Sequence, residues 1–480
     1  MVCIYTMMKY DKEAVPNPTK VKIDFDKLKE IVGEDSISNK KMDIYVYGFD
    51  ASLPWIIVKP TKIEHVQKIL CYANKEGIPV IPIGMGTHTT GYEIPLHGGI
   101  ILSLKKMNNI LKVSPEDASC RVEPGVVDTE LNSVLETYGF FYPPTPPAGD
   151  ATTIGGELAS NAFGVRSAKY GGVRDYVLGM KVVLADGDLL TLGSNTYAGP
   201  NGYQLERLMV GSEGTLGVIV EATLKIIPLP KFRALGVVKF KKLEEAGEAI
   251  SNIVSAGIVP SMCELIDNVG VDALNKSFEI GLPEVEAVLL FEVDGQVKEL
   301  INYEVEKIKE ICEKNGGFGF EIGRTKEDRE RIYLIRKRLF GALARYKKGL
   351  IPTALINDVM VPISRVASCM SKIQSLAKEN NLLVSVLAHC GSGILRTVLL
   401  IEPHKEFIKD VGNLACEIYD YIDKIGGRVP TSVSGKKKLL YVIKEIKKIF
   451  DPRNILNPHK LIHMPIEEVT HARVRQPVIV

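Results

Sequence analysis

The stretch Ile81-Pro82-Ile83-Gly84-Met85-Gly86-Thr87-His88-Thr89-Thr90-Gly91 decides what the sequence predicts about the fold. It follows a short apolar run and contains three glycines and three threonines but no carboxylate. Glycine lets the backbone turn sharply and approach a ligand closely, because it has no Cβ atom. Successive N–H groups in such a loop form a concave anion site, typically for a phosphate. One loop of this kind is a weak signal, so the prediction of a nucleotide site requires support from other segments of the sequence.

The segments around this loop predict a compact α/β unit. Trp55-Ile56-Ile57-Val58 is typical of a strand, and Val80 to Ile83 forms a second strand that leads into the loop. Between them, Thr61-Lys62-Ile63-Glu64 has the pattern of a capping box, which predicts a helix that begins after Thr61 and ends at Gly77.

Two further glycine-rich passages follow in the sequence, at Thr153 to Gly164 and at Gly211 to Ile219. The proline-rich run from Tyr142 to Pro147 predicts a stiff extended segment before the first of them. Asp128 is predicted to cap a helix upstream of that run. After Pro228-Leu229-Pro230 the pattern changes to alternating strands and amphipathic helices, which indicates a domain boundary.

Length and composition narrow the class of protein. A chain of 480 residues is expected to form two or three domains, and a net charge of +2 gives no electrostatic footprint for nucleic acid. We expect no transmembrane segment and no signal peptide. The eight cysteines form no Cys-x-x-Cys pair, which argues against an iron–sulfur cluster or zinc ribbon and fits a cytoplasmic location.

The three glycine-rich segments, taken in order, resemble the vanillyl-alcohol-oxidase-type FAD-binding family. The resemblance is greatest to the branch that holds D-lactate dehydrogenase and the flavin subunit of glycolate oxidase. It implies an α+β fold, with a two-part FAD-binding domain and a cap domain built on an antiparallel sheet flanked by helices. We expect the FAD-binding domain at residues 1–230 and the cap at 231–430. A segment at 431–480 is expected to return to the FAD-binding domain and end in a tail.

The resemblance also implies which residues bind FAD. The opening loop corresponds to the pyrophosphate loop of the family, which usually has Arg where this chain has Ile83. Some family members tether FAD through a histidine, but that position aligns with Thr87 rather than His88, so we expect non-covalent FAD. The expected FAD-binding residues are Ile83, Gly84, Met85, Gly86, Thr87, His88, Gly91, Pro144, Thr153, Gly156, Asn161, Glu213, Gly214, Gly217 and Ile219.

The cap sequence departs from the family pattern where hydroxy-acid-oxidising members hold a divalent metal. Their His-x-Gly-Asp-Gly-Asn-x-His segment corresponds to His389-Cys390-Gly391-Ser392-Gly393-Ile394-Leu395-Arg396, and their Gly-Glu-His-Gly segment to Gly435-Lys436-Lys437-Lys438. One histidine remains, and the other metal ligands are replaced by Arg396, Lys436 and Lys437. A dication requires several donors without positive charge, so we expect no metal.

The remaining cap residues suggest how catalysis proceeds without a metal. We expect His389 or Lys436 to take the hydroxyl proton, and Arg396 and Arg336 to bind a carboxylate. For Lys436 to Lys438, an exposed surface run remains an open alternative.

The predicted function is an FAD-dependent dehydrogenase for a small 2-hydroxy acid of the D-lactate or glycolate type. Electrons would pass to a quinone or a redox partner protein rather than NAD, within an oligomer or multi-subunit complex that reaches the membrane only through a partner. Two alternatives remain open: a flavin-holding electron-transfer or scaffold subunit, and a flavin enzyme for a phosphorylated substrate.

Overall fold

The computed structural model describes residues 23–47, 54–87, 93–95, 98–146, 149–199, 202–354, 356, 358–402, 407–429 and 437–460. The first sheet is formed by β1 (Ile37–Ser38), β2 (Ile56–Val58), β3 (Val80–Ile83) and β4 (Ile100–Ser103). Its strand order is β1-β2-β4-β3, with β2 and β3 parallel to β4. The apolar strands are buried on both faces, as parallel strands usually are.

The second sheet is antiparallel and has the strand order β5-β6-β10-β8-β9, while β7 pairs with β11 alongside it. The strands are β5 (Ile110–Ser114), β6 (Ser119–Val122), β7 (Phe140–Phe141), β8 (Val177–Val183), β9 (Leu189–Gly193), β10 (Val218–Lys225) and β11 (Ile227–Pro228). Helices of this half of the chain are α1 (Phe25–Val32), α2 (Lys41–Ile44), α3 (Ile63–Glu76), α4 (Asp128–Glu136), α5 (Ile154–Ser160), α6 (Ser167–Tyr170) and α7 (Leu205–Met209).

A third sheet, which is antiparallel, forms the centre of the cap. Its order is β15-β12-β14-β13-β18-β19-β16, and β17 pairs with β19. The strands are β12 (Phe232–Phe240), β13 (Met262–Asp267), β14 (Ala287–Gly295), β15 (Phe318–Gly323), β16 (Ile351–Thr353), β17 (Val359–Met360), β18 (Leu383–His389) and β19 (Ile394–Ile401). Helices packed around this sheet are α8 (Leu243–Ser255), α9 (Asn268–Phe278), α10 (Lys298–Lys314), α11 (Lys326–Leu343), α12 (Val366–Glu379) and α13 (Phe407–Lys424).

The end of the described chain returns to the first sheet. After α14 (Lys437–Phe450), Leu456 forms a parallel bridge with Val80 of β3, and the N–H of Asn457 donates to the Val80 carbonyl at 2.8 Å. The predicted α+β fold with an antiparallel cap is therefore confirmed. The domain boundaries at residues 230 and 430 stay predictions.

An ion pair and a hydrogen bond connect the cap to the FAD-binding half. The Lys169 ammonium lies 2.6 Å from the Asp294 carboxylate of β14, and the Tyr170 hydroxyl donates to the same carboxylate at 2.8 Å. Beside them, a Cβ atom added to Gly391 would lie 2.1 Å from the Cβ of Ala168, so only glycine permits this approach. The turn that follows His389 is thereby held against α6.

Two helix starts differ from the predictions. Helix α3 begins at Ile63 with Lys62 as its N-cap, and no side chain caps it, because Thr61 lies one residue too early to reach the first turn. Helix α4 has Val127 as its N-cap. Asp128 lies inside the helix instead, fully buried, where its carboxylate accepts a hydrogen bond from Asn132 Nδ2 at 3.2 Å.

Candidate active site

A cleft of about 520 Å³ opens between the FAD-binding half and the cap. All three glycine-rich segments line one side of it, and the ends of cap strands β18 and β19 line the other. A volume of this size is in the range of cofactor and substrate sites. The cleft therefore joins the predicted FAD strips to the predicted catalytic residues.

The first two glycine-rich segments pack so closely that there is no room for a side chain at Gly84. A Cβ atom added to Gly84 would lie 2.2 Å from Thr153 Oγ1, and Gly86 has a φ of +73°, which favours glycine. Thr153 is the N-cap of α5, and its hydroxyl accepts from the Gly156 N–H at 3.4 Å. Local capping and two obligatory glycines thus set the shape of this wall.

The third glycine-rich segment forms the neighbouring wall together with the C-terminal return. Glu213 has a left-handed φ of 52°, and its carbonyl accepts from Asn457 Nδ2 at 2.7 Å. Burial and the nearby charge of Glu93 raise the pKa of Glu213 to about 8, although the charge of Lys460 acts in the opposite direction. At neutral pH this wall therefore carries less negative charge than its composition suggests.

Several buried polar atoms in these walls lack hydrogen-bond partners within the described part of the chain. They include Glu93 Oε2, Glu157 Oε2 and Asn161 Oδ1, all of residues that line the cleft. Buried polar atoms in native proteins are nearly always satisfied, so a polar ligand or water completes them. The glycine cradle and these polar atoms together fit the FAD predicted from the sequence.

On the cap side, three buried side chains form a chain of hydrogen bonds. His389 Nδ1 contacts Glu264 Oε1, and Arg336 Nε donates to Glu264 Oε2 at 2.7 Å. Glu264 and His389 are register partners on β13 and β18, and Glu264 is fully buried. Burial alone would raise the pKa of Glu264, but the charges and hydrogen bonds of His389 and Arg336 hold it below its usual value. An ionised Glu264 therefore fixes His389 with its Nδ1 toward the protein.

Arg396 lies in the same cleft and is held by a second carboxylate. Its Nε and Nη2 donate to Asp358 at 3.1 and 2.7 Å, a two-point contact that leaves about a third of each side chain exposed. The charge of Asp358 raises the pKa of Arg396, although burial opposes that effect. The pair presents an oriented guanidinium edge to the cleft, with its net charge largely balanced.

The structure brings together most of the residues predicted from the sequence. Those that line the cleft are Ile83, Gly84, Met85, Gly86, Thr87, Thr153, Gly156, Asn161, Glu213, Gly214, Gly217, Ile219, His389 and Arg396. Pro144 is buried but does not line the cleft, and Arg336 lies behind Glu264. His88, Gly91 and Lys436 lie outside the described residues, and Lys438 is exposed on α14.

Sequence reasoning missed four residues of the site: Glu264, Asp358, Glu157 and Asn457. Glu264 carried a signal, because it is a carboxylate at the centre of the otherwise apolar stretch from Met262 to Ile266, next to a cysteine and a leucine. Its partner could not be identified, since His389 lies 125 residues further along the chain.

The described regions contain neither a metal-binding cluster nor a helix that could cross a membrane. No group of three or more His, Cys, Asp or Glu side chains there is arranged to hold a metal ion. The expected lack of a metal stays a prediction, because residues 430–436 are not described. Likewise, no helix among the described residues is both long and apolar enough to cross a bilayer.

Comparison with known families agrees with the cofactor predicted from the sequence. A model of the FAD binding domain matches residues 54–193, and a model of the C-terminal domain of FAD linked oxidases matches 229–430 and 433–461. These matches cover the first two glycine-rich strips and the cap, while the third strip, at 211–219, lies between the two matched ranges. They support FAD as the cofactor.

Relatives at about 30% identity span nearly the whole chain. The glycolate oxidase subunit GlcD of Bacillus subtilis is 32% identical over 456 residues, covering 91% of this chain and 96% of that protein. The D-lactate dehydrogenase of Archaeoglobus fulgidus is 30% identical over 438 residues, covering 87% and 95%. A mitochondrial D-lactate dehydrogenase [cytochrome] of Arabidopsis thaliana is 31% identical, covering 89% and 78%.

Solved structures with a similar fold include an oxidase and a synthase, whose names indicate different reactions. A 4-ethylphenol oxidase from Gulosibacter chungangensis matches with a TM-score of 0.74 at 19% identity, covering 92% of this chain and 97% of that one. An alkyldihydroxyacetonephosphate synthase matches with a TM-score of 0.72 at 21% identity, covering 93% and 89%. At these identities the likeness supports the fold alone.

The resemblance to vanillyl-alcohol-oxidase-type flavoproteins is confirmed, and the chain belongs to the FAD-linked oxidase family as an FAD-dependent oxidoreductase.

Proposed function

We propose that this protein is a dehydrogenase that oxidises a small 2-hydroxy acid of the D-lactate or glycolate type. The observation that carries the proposal is that a carboxylate-held histidine and a guanidinium line the same cleft as the FAD strips. The names of the relatives, glycolate oxidase subunit and D-lactate dehydrogenase, support the same substrate class.

His389 is the proposed base. In the neutral tautomer whose Nδ1–H donates to ionised Glu264, Nε2 carries the lone pair that accepts the proton of the substrate hydroxyl. FAD, when bound by the glycine strips, supplies the acceptor for the hydride that leaves the substrate carbon. The proton on His389 and the hydride together account for the two hydrogens lost when a 2-hydroxy acid becomes a 2-oxo acid.

Arg396 is the proposed carboxylate-binding residue. Asp358 occupies its Nε and Nη2, which leaves the Nη1 side of the guanidinium to meet a substrate carboxylate. The contact predicted between Arg336 and a carboxylate stays a prediction. Arg336 Nη2 has no hydrogen-bond partner among the described residues, but Arg336 Nε is engaged by Glu264.

The electron acceptor is proposed to be a quinone or a redox partner protein. The glycine loop does not have the Gly-x-Gly-x-x-Gly spacing of a nicotinamide site, because Gly84 and Gly86 are followed by Gly91. Assembly with such a partner is part of the proposal, as is the cytoplasmic location.

A second candidate function follows from the balanced charges of the cap. Asp358 neutralises Arg396, and Glu264 neutralises Arg336, so the cleft offers less attraction to a carboxylate than the sequence suggests. The chain would then hold FAD for electron transfer within a complex and oxidise no hydroxy acid itself.

Anaerobic flavin reduction distinguishes these functions. The purified FAD-loaded protein is mixed with D-lactate, L-lactate, glycolate or D-2-hydroxyglutarate while the oxidised flavin absorbance is followed. We expect D-lactate or glycolate to bleach the flavin within seconds to minutes, and dithionite to define full reduction. If dithionite bleaches the flavin but none of the four acids does, the electron-transfer role replaces the proposed one.

A further inference from the structure

One buried carboxyl in the FAD cleft has no role in the proposed reaction. Glu157 of α5 lines the cleft and is only 2% exposed. Its Oε1 accepts a hydrogen bond from the Thr152 hydroxyl at 2.9 Å. Its Oε2 is buried without a hydrogen-bond partner in the described structure. Half of the hydrogen-bonding capacity of this carboxyl is therefore left for a group that is not part of the described protein.

The groups that face Glu157 make a negative charge unfavourable there. Asp128 of α4 and Tyr142 of the following extended segment are both fully buried, and Asp128 Oδ2 and the Tyr142 hydroxyl also have no described partner. No ion pair with Glu157 occurs among the described residues. The positive charge of Arg166 and the negative charge of Asp150 both act on Asp128.

These surroundings favour the protonated form of the Glu157 carboxyl. Burial first, and the charge of Asp128 second, raise the pKa of Glu157 well above its usual range, while the Thr152 hydrogen bond opposes them weakly. Burial likewise raises the pKa of Asp128 to about 7, against the Thr145 hydrogen bond and the Arg166 charge. A protonated carboxyl has an O–H that donates, and a buried donor requires an acceptor.

We propose that Glu157 serves FAD binding as an uncharged carboxylic acid whose O–H donates a hydrogen bond to an acceptor atom of the cofactor. FAD is itself anionic through its pyrophosphate, so an ionised Glu157 in the same cleft would repel it. The neutral acid removes this repulsion and adds a bond. The proposal does not depend on which substrate the enzyme oxidises.

The test measures FAD affinity rather than turnover. Full-length protein freed of FAD is titrated with FAD between about pH 5 and pH 9, and binding is followed by flavin fluorescence for wild type, Glu157→Gln and Glu157→Ala. Relative to Glu157→Gln, wild-type affinity should be constant while Glu157 is protonated and fall by up to about tenfold per pH unit once it ionises. Glu157→Gln should keep tight binding without the pH dependence that Glu157 contributes, because its amide also donates; the titration of Glu213 is common to all three proteins. Glu157→Ala should bind roughly tenfold more weakly than Glu157→Gln at every pH.

Asp128→Asn tests how the negative charge of Asp128 affects the pKa of Glu157. Because the charge of Asp128 raises the pKa of Glu157, its removal should shift the loss of FAD affinity to lower pH. Where a variant unfolds without FAD, the rate of FAD release from the diluted holoprotein gives the same comparison.

Two outcomes would overturn the proposal. One is a Glu157→Gln variant that binds FAD as weakly as Glu157→Ala. The other is a wild-type protein that binds FAD no more tightly than Glu157→Ala at pH 5, where Glu157 is protonated. Neither of these results bears on hydroxy-acid oxidation, which the anaerobic assay tests separately.

Discussion

His389→Asn should slow reduction of the flavin by the hydroxy acid by roughly 10²- to 10⁴-fold, the range expected for loss of a general base. Asparagine can still accept a hydrogen bond but cannot take up the hydroxyl proton. FAD content should stay unchanged, because His389 belongs to the cap and no predicted FAD contact involves it. The measurement is anaerobic stopped-flow reduction at saturating substrate, with the absorption spectrum of bound FAD as the check on folding.

Two further variants test whether the slower flavin reduction comes from the hydrogen bond between His389 and Glu264. Glu264→Gln removes the charge that holds His389 in place, so the rate should fall between those of wild type and His389→Asn. His65→Asn alters a histidine of α3 that does not line the cleft, and it should reduce at the wild-type rate. A His389→Asn protein that reduces as fast as wild type would remove His389 from the mechanism.

Lys447→Met should destabilise the protein by about 3–5 kcal/mol, the cost typical of breaking a buried ion pair by removing one partner. The Lys447 ammonium contacts the Asp451 carboxylate and donates to the carbonyls of Thr215 and Leu456 at 2.7 and 2.8 Å. Asp451 is 1% exposed, so the substitution leaves a buried charge without its cation. These bonds also join α14 to the third glycine strip and the C-terminal return, so FAD affinity should fall as well.

The neighbouring Lys448→Met is a matched control, since the same substitution one residue away falls on an exposed side chain. Lys448 pairs only with exposed Glu445 in the described structure, and its loss should leave the free energy of unfolding nearly unchanged. Urea unfolding of the FAD-loaded proteins, followed by far-UV circular dichroism, measures both. Equal midpoints for the two variants would contradict the anchoring role of Lys447.

The FAD-binding walls were largely predictable because their signals are local. Each glycine strip needs particular backbone angles or close approaches within a few residues, as at Gly84 and Gly86, and glycine is the residue that permits them. The order of three such strips then identified the family. Helix caps were less predictable, since Thr61 matches a capping pattern but lies one residue from the position that caps.

The cap residues could not be predicted in the same way because their partners lie far apart in sequence. Glu264 meets His389 only through the pairing of β13 with β18, and Asp358 reaches Arg396 across β17 and β19. The sequence therefore indicated free positive charge at Arg396, where the structure shows a balanced pair. Helix α11 was not predicted, because its first turns are dense in charged residues that obscure its apolar face.

We propose that side chains of this protein, rather than a metal, prepare a hydroxy acid for oxidation by FAD. The most direct test is anaerobic flavin reduction by D-lactate or glycolate after exhaustive dialysis against a chelator, with metal content measured on the same sample. We predict complete bleaching at the rate of the untreated protein. Bleaching that disappears after chelation and returns with Zn²⁺ or Mn²⁺ would contradict the account.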